Sequence, residues 1–164
     1  MFPPIFAAVS QVAAAASALN ELLDLAQSSN ETGEEEQRAR RVAPVSPEEW
    51  HYFSVGEFAC PCCGRAKISF PFVGLLDQAR ELVGVPFRVT SGYRCQAHNR
   101  QVGGSPDSEH LIGLAADILV PDSETRFLVV SAALQVGIRR IGVHKSFVHL
   151  GASRAHPPDV LFLY

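Results

Sequence analysis

The chain is short of basic charge: 14 lysines and arginines stand against 17 aspartates and glutamates, a formal net charge of −3. That balance lacks the basic stripe that recruits polynucleotides, so nucleic-acid binding is set aside. An unbroken apolar span is also missing. The longest apolar stretch, IFAAVSQVAAAASALNELLDLA, is interrupted by Ser10, Gln11, Ser17 and Asn20 and is dominated by alanine, which is too weak for a membrane span. The opening MFPP has no basic n-region, so no signal peptide is expected even though Ala16-Ser17-Ala18 mimics a cleavage site. Cysteine is scarce, with four residues in all: Cys60, Cys62, Cys63 and Cys95.

What is present suits one ordinary domain with an appendage. The chain has 164 residues, 47% hydrophobic and 19% charged, enough for a normal core. Residues 1–28 read as an alanine-rich helix in which Val12, Ala15, Leu19, Leu22, Leu23 and Ala26 fall near helical spacing. That stripe, within 4–27, needs a partner, either the main domain, another copy of the chain or a larger assembly. Residues 29–45, where an acidic run meets a basic one, read as a solvated linker.

The main domain is expected over 46–164. Ser46, Pro47 and Glu49 offer a helix start with a capping box. PFVGLLDQARELVG predicts a second helix that buries Phe72, Leu75, Leu76, Ala79, Leu82 and Val83 and stops at Gly84. VPFRVTSGYR predicts a strand running into a turn, and RQVGGSPDSEH a long loop. LAADILV predicts a short strand, and SETRFLVVSAALQVG a helix capped by Ser123 and ended by Gly137. RRIGV, SFVHL and DVLFLY predict three more extended pieces. Helices and strands mix without regular alternation, which points to an α+β domain with a mainly antiparallel sheet flanked by helices.

Asp117 sits among Ala116, Ile118, Leu119 and Val120, where a carboxylate loses several kcal/mol, on the order of 2–7 for a polar group, unless a cation or donors compensate. His110 lies at the end of the loop before it, and His149 alternates with Val148 and Leu150 in another predicted strand, facing with Phe147. If those strands are neighbours, His110, Asp117 and His149 converge as two imidazoles and a carboxylate, a catalytic zinc set with one position open. The plainer reading pairs Asp117 with Arg94 and leaves both histidines hydrogen-bonded. Spacing alone leaves both open.

The pattern S-x-H-x-x-G-x-A-x-D, filled by Ser108, His110, Gly113, Ala115 and Asp117, resembles the signature of the zinc D-alanyl-D-alanine carboxypeptidases. These are the VanY-like peptidoglycan peptidases, with endolysin-type members among phages. The likeness extends upstream to SGYRCQAHNRQVGG and downstream to RIGVHKSFVHL, over roughly residues 50–164. It implies a hedgehog/DD-peptidase-like fold, one catalytic zinc held by His110, Asp117 and His149, and Arg94 at the mouth of the site. It also implies a peptidoglycan peptide as substrate and a cell-envelope or virion location.

Two positions depart from the family pattern. Ser146 stands where better-studied members carry the base carboxylate, three residues before the last histidine ligand. His144 is then the available titrating group, with Glu109 a weaker alternative. Gly151 stands where many relatives carry an aspartate that orients the last histidine. Both departures keep a second function in view, an inactive zinc-bearing scaffold such as a virion component anchored by its N-terminal helix. A signalling domain on the same architecture is a third. For the cysteines three readings stand side by side: a second, structural zinc at Cys60, Cys63, Cys95 and His98, a disulfide from the CPCCG turn to Cys95, or free thiols.

Overall fold

The computed structural model describes residues 50–164. The expected helix and linker before residue 46, and the helix start at Ser46, Pro47 and Glu49, lie outside them. No helix among the described residues is long and apolar enough to cross a membrane.

From Trp50 the chain runs irregularly into a short 3-10 turn, Val55–Phe58, with its own capping box: the Ser54 N–H donates to Glu57 Oε1 at 2.9 Å. Helix α1 follows at Phe70–Val83, with Pro71 in its first turn where no amide is needed. It stops at Gly84, which takes φ 64° and returns its N–H to the Arg80 carbonyl at 3.0 Å. Strand β1 is only Val89–Ser91, shorter than VPFRVTSGYR suggested. A short helix α2, Gln96–Gln101, begun by Cys95, lies mostly ahead of the expected loop and takes its first two residues, Arg100 and Gln101. A second 3-10 turn, Glu109–Ile112, leads into strand β2, Ala115–Leu119.

Helix α3 spans Ser123–Gln135, and its cap is Asp122 rather than Ser123. The Asp122 carboxylate accepts the Thr125 N–H at 2.7 Å, and an ionised oxygen is the stronger cap there. Strands β3, Arg140–Val143, β4, Phe147–Gly151, and β5, Val160–Leu163, complete the domain.

The five strands form one sheet in the order β1-β2-β4-β3-β5. Every pairing is antiparallel except β3 with β5, which run parallel at one edge. The α+β reading holds, with that parallel edge pair added to it. Strand alternation then sorts the side chains. Ala116, Ile118, Ile141, Val148 and Leu150 turn to one face and pack with Phe72, Val73 and Leu76 of α1 and Val129, Ala132 and Ala133 of α3. The opposite face receives Asp117, Phe147 and His149, so the sheet divides apolar core from polar site.

Candidate metal centre

Asp117 in β2 and His149 in β4 are direct cross-strand partners, which brings two chemically costly side chains together on the face away from the core. His110 arrives from the 3-10 turn. That turn ends at Gly113, with φ 71°, where a Cβ would overlap the Lys67 carbonyl, so only glycine closes the chain there. His110, Asp117 and His149 are all buried, at 2%, 5% and 4% exposure.

Their ligand atoms face one another. His110 Nε2 lies 3.2 Å from Asp117 Oδ1 and 3.2 Å from His149 Nδ1, and His149 Nδ1 lies 2.9 Å from Asp117 Oδ1. The outer nitrogens are bound elsewhere. His110 Nδ1 contacts the Gly92 carbonyl at 2.7 Å, and a carbonyl only accepts, so the proton belongs on Nδ1. His149 Nε2 points at Glu109 Oε2, 3.4 Å away, which sets its proton on Nε2. With both outer positions donating, the neutral rings turn lone pairs toward a carboxylate oxygen. Three acceptors at this range are held together by a cation or by an added proton.

The separations fit zinc. Ligands about 2.0–2.1 Å from a tetrahedral ion stand about 3.3 Å apart, close to the 2.9–3.2 Å observed. The titration tendencies describe the same cluster without an ion. Burial opposes ionisation of Asp117, yet hydrogen bonds to His110 and His149 outweigh it and hold the carboxyl far below the ordinary range. Burial likewise disfavours charged His149, but Asp117 and Glu109 overcome it and raise the imidazole. A metal binding there displaces that proton.

Arg94 meets the outer oxygen of the same carboxylate: its Nη2 donates to Asp117 Oδ2 at 2.6 Å and its Nε to Ser91 Oγ at 2.7 Å. The two readings of Asp117 therefore coexist. One oxygen takes the guanidinium and the other faces the histidines.

The cluster opens into a cavity of about 620 Å³ lined by Arg94, Arg140, His156, Phe147, Phe162 and Tyr164. Gly142 makes room for the aromatic wall, since a Cβ there would lie 2.6–2.7 Å from the Phe162 and Tyr164 rings. Partial burial and the nearby Asp117 charge push the Tyr164 phenol up to about 12, so it is neutral at physiological pH.

A family model described as Peptidase M15 matches residues 51–151, most of the described domain and all three converging groups. The chain belongs to the Peptidase M15 family. No match to a curated protein accompanies it. M15 peptidases are zinc-dependent metallopeptidases, and the donor set in this member is of the kind that zinc accepts.

In this M15 chain His144 stands apart from the cavity lining. Its Nδ1 is 3.0 Å from Ser146 Oγ and accepts the Ser146 N–H at 3.3 Å, while its ring lies over Phe147 at 4.5 Å. Glu109, read only as a weak base, holds the outer nitrogen of His149. It is 3% exposed, accepts the Ser153 N–H at 2.7 Å and Arg140 Nε at 3.1 Å, and occupies the space beside Gly151. A Cβ at residue 151 would overlap Glu109 Oε2 and lie 2.7 Å from its Cδ. The glycine that departs from the family pattern is thus matched by a carboxylate from another element. Arg140, His156, Phe162 and Tyr164 were not anticipated, because three of them lie in the last nine residues, beyond any quoted motif. Of the cysteine set, Cys60, Cys63 and Cys95 converge, while His98 gives only its backbone N–H to Cys95 Sγ at 3.4 Å. No disulfide joins the four cysteines in this structure, where Cys62 Sγ and Cys95 Sγ stand 3.7 Å apart.

Proposed function

We propose that this chain is a zinc peptidase that hydrolyses the peptide of bacterial peptidoglycan, at a stem terminus or a cross-link. Convergence of His110, Asp117 and His149 at the floor of an open cavity carries the reading. Zinc held there supplies a Lewis acid for a scissile carbonyl and brings the pKa of water to about 7.

The protein's own groups divide the remaining work. Arg94 fixes Asp117, and with Arg140 it gives the cavity two guanidinium groups suited to a peptide carboxylate or a developing oxyanion. Glu109 positions His149 from behind. His144, which accepts the Ser146 amide at Nδ1 and packs against the lining residues Phe147 and Tyr164, is the more distant candidate proton carrier. His156, which lines the cavity directly and bonds the Asp107 carbonyl at 2.9 Å, is the competing proton carrier.

The test is a digest of purified peptidoglycan with metal analysis of the same sample. Release of D-alanine or cross-link fragments, lost in His110→Ala and Arg94→Ala, supports the reading. A folded, zinc-loaded protein that releases nothing overturns it in favour of the scaffold reading, which His144 outside the cavity lining and the serine at residue 146 favour.

A further inference from the structure

We propose that Cys60, Cys63 and Cys95, with Cys62 as fourth donor, form a second, structural zinc site that staples the loop before α1 to the turn bearing Arg94. This goes beyond the hydrolase reading and does not depend on it.

The sulfurs of Cys60, Cys63 and Cys95 lie within 4.8 Å of one another, although Cys95 is more than thirty residues from the others. Cys60 is fully buried and Cys95 is 7% exposed. The loop is folded for this convergence: Cys60 N–H donates to the Arg65 carbonyl at 2.8 Å, and Gly64 N–H returns to the Cys60 carbonyl at 2.8 Å. Gly64 takes φ 69° to close the turn. The result sets Cys60 and Cys63 at C-x-x-C spacing on one side of a tight loop, as in structural zinc sites.

Two backbone amides aim at the sulfurs. Cys95 N–H donates to Cys60 Sγ at 3.4 Å and His98 N–H to Cys95 Sγ at 3.4 Å, so the surrounding backbone presents donors to both sulfurs. Cys62 Sγ stands 3.7 Å from Cys95 Sγ but outside the mutually close set of the other three, so the exposed Cys62 side chain turns inward to complete the four. Tetrahedral zinc with bonds of about 2.3 Å places its sulfurs about 3.8 Å apart, whereas a disulfide needs about 2.05 Å. A thiolate set selects a soft ion such as zinc over calcium or magnesium.

Apolar burial does not explain the order of this loop. Residues 61–65 are all exposed, and the local apolar cluster consists of Cys60, Tyr93 and Cys95 alone. A metal supplies the missing cohesion. It also bears on the other site: Gly92, Tyr93 and Arg94 immediately precede Cys95, Gly92 gives His110 its carbonyl partner, and Tyr93 N–H bonds the Phe58 carbonyl at 2.9 Å.

The full chain, purified under reducing conditions and exchanged into cobalt(II), provides the test. Two equivalents are expected, with sulfur-to-cobalt charge-transfer absorption in the near ultraviolet that an imidazole and carboxylate site does not give. That absorption persists in His149→Ala, which loses one equivalent, and disappears in Cys63→Ser. In the zinc-loaded wild type the four thiols resist alkylation until a chelator is added. Cobalt bound without the sulfur band, four thiols alkylated at once in zinc-loaded protein, or a Cys62–Cys95 disulfide in the purified chain each overturns the proposal. Loss of peptidase activity alone leaves the sulfur band in place, so failure of the two readings is distinguishable.

Discussion

Glu109 and Gly151 share one volume, and exchanging their chemistry should reveal it. Glu109→Ala leaves His149 Nε2, Arg140 Nε and the Ser153 N–H without their acceptor. Losing an outer carboxylate behind a metal-binding histidine costs about 10- to 100-fold in metal affinity. Stripping a buried donor of its partner costs about 1–3 kcal/mol of stability. Gly151→Asp alone should be worse, because its Cβ overlaps the Glu109 carboxylate and two carboxylates then compete for one buried site. In the double variant the new aspartate enters space that Glu109 has left. Recovery relative to either single change is expected, with a coupling of about 2–3 kcal/mol, the upper range for residues in contact. Zinc affinity by chelator competition and urea unfolding of the metal-free protein measure it, and Glu109→Gln should restore part of the loss. A double variant whose penalties simply add would refute the shared-volume argument.

Other perturbations probe the supports of the site. Gly113→Ala places a Cβ against the Lys67 carbonyl at φ 71°, so a loss of about 1–3 kcal/mol or more is expected by denaturant unfolding, along with weakened zinc binding. Arg94→Lys cannot reproduce a guanidinium spread between Asp117 and Ser91, and zinc affinity should fall about 10- to 100-fold, read by chelator competition. The Asp122 cap, whose pKa is lowered chiefly by the Thr125 N–H, stabilises α3 above the ordinary aspartate pKa and loses that effect as pH falls through its depressed value. Thermal melts of wild type and Asp122→Ala should therefore differ at neutral pH and coincide in acid. Leu76→Ala empties a fully buried position between α1 and the sheet, with an expected cost of about 2–5 kcal/mol by urea unfolding.

The parts of this fold with strong periodicity were legible in the sequence. Helix α1 and its Gly84 stop follow from apolar spacing and a left-handed terminator, β2 follows from a short apolar run, and β4 from alternation. The buried Asp117 forecast a positive partner, and Arg94 supplies it at 2.6 Å. Short pieces escaped. Six residues of α2 carry too little pattern to be seen, and the Asp122 cap lies one residue from the expected Ser123 because both types cap well. The site was legible only as far as the quoted motif. Glu109 was hidden because its role depends on the empty space at Gly151, a fact about packing that no spacing rule expresses. Arg140 and Phe162 join the cavity through the β3–β5 edge, a pairing the sequence left undetermined.

The register of β2 against β4 sets Asp117 opposite His149 and Ile118 opposite Val148. Sliding one strand by a single residue would turn the carboxylate into oil and offer an isoleucine to the ion. Cation capture is therefore also a ruler laid across two strands. Chains that close the sheet one notch out of step cannot complete the grip, and the ion favours the correctly zipped form by mass action.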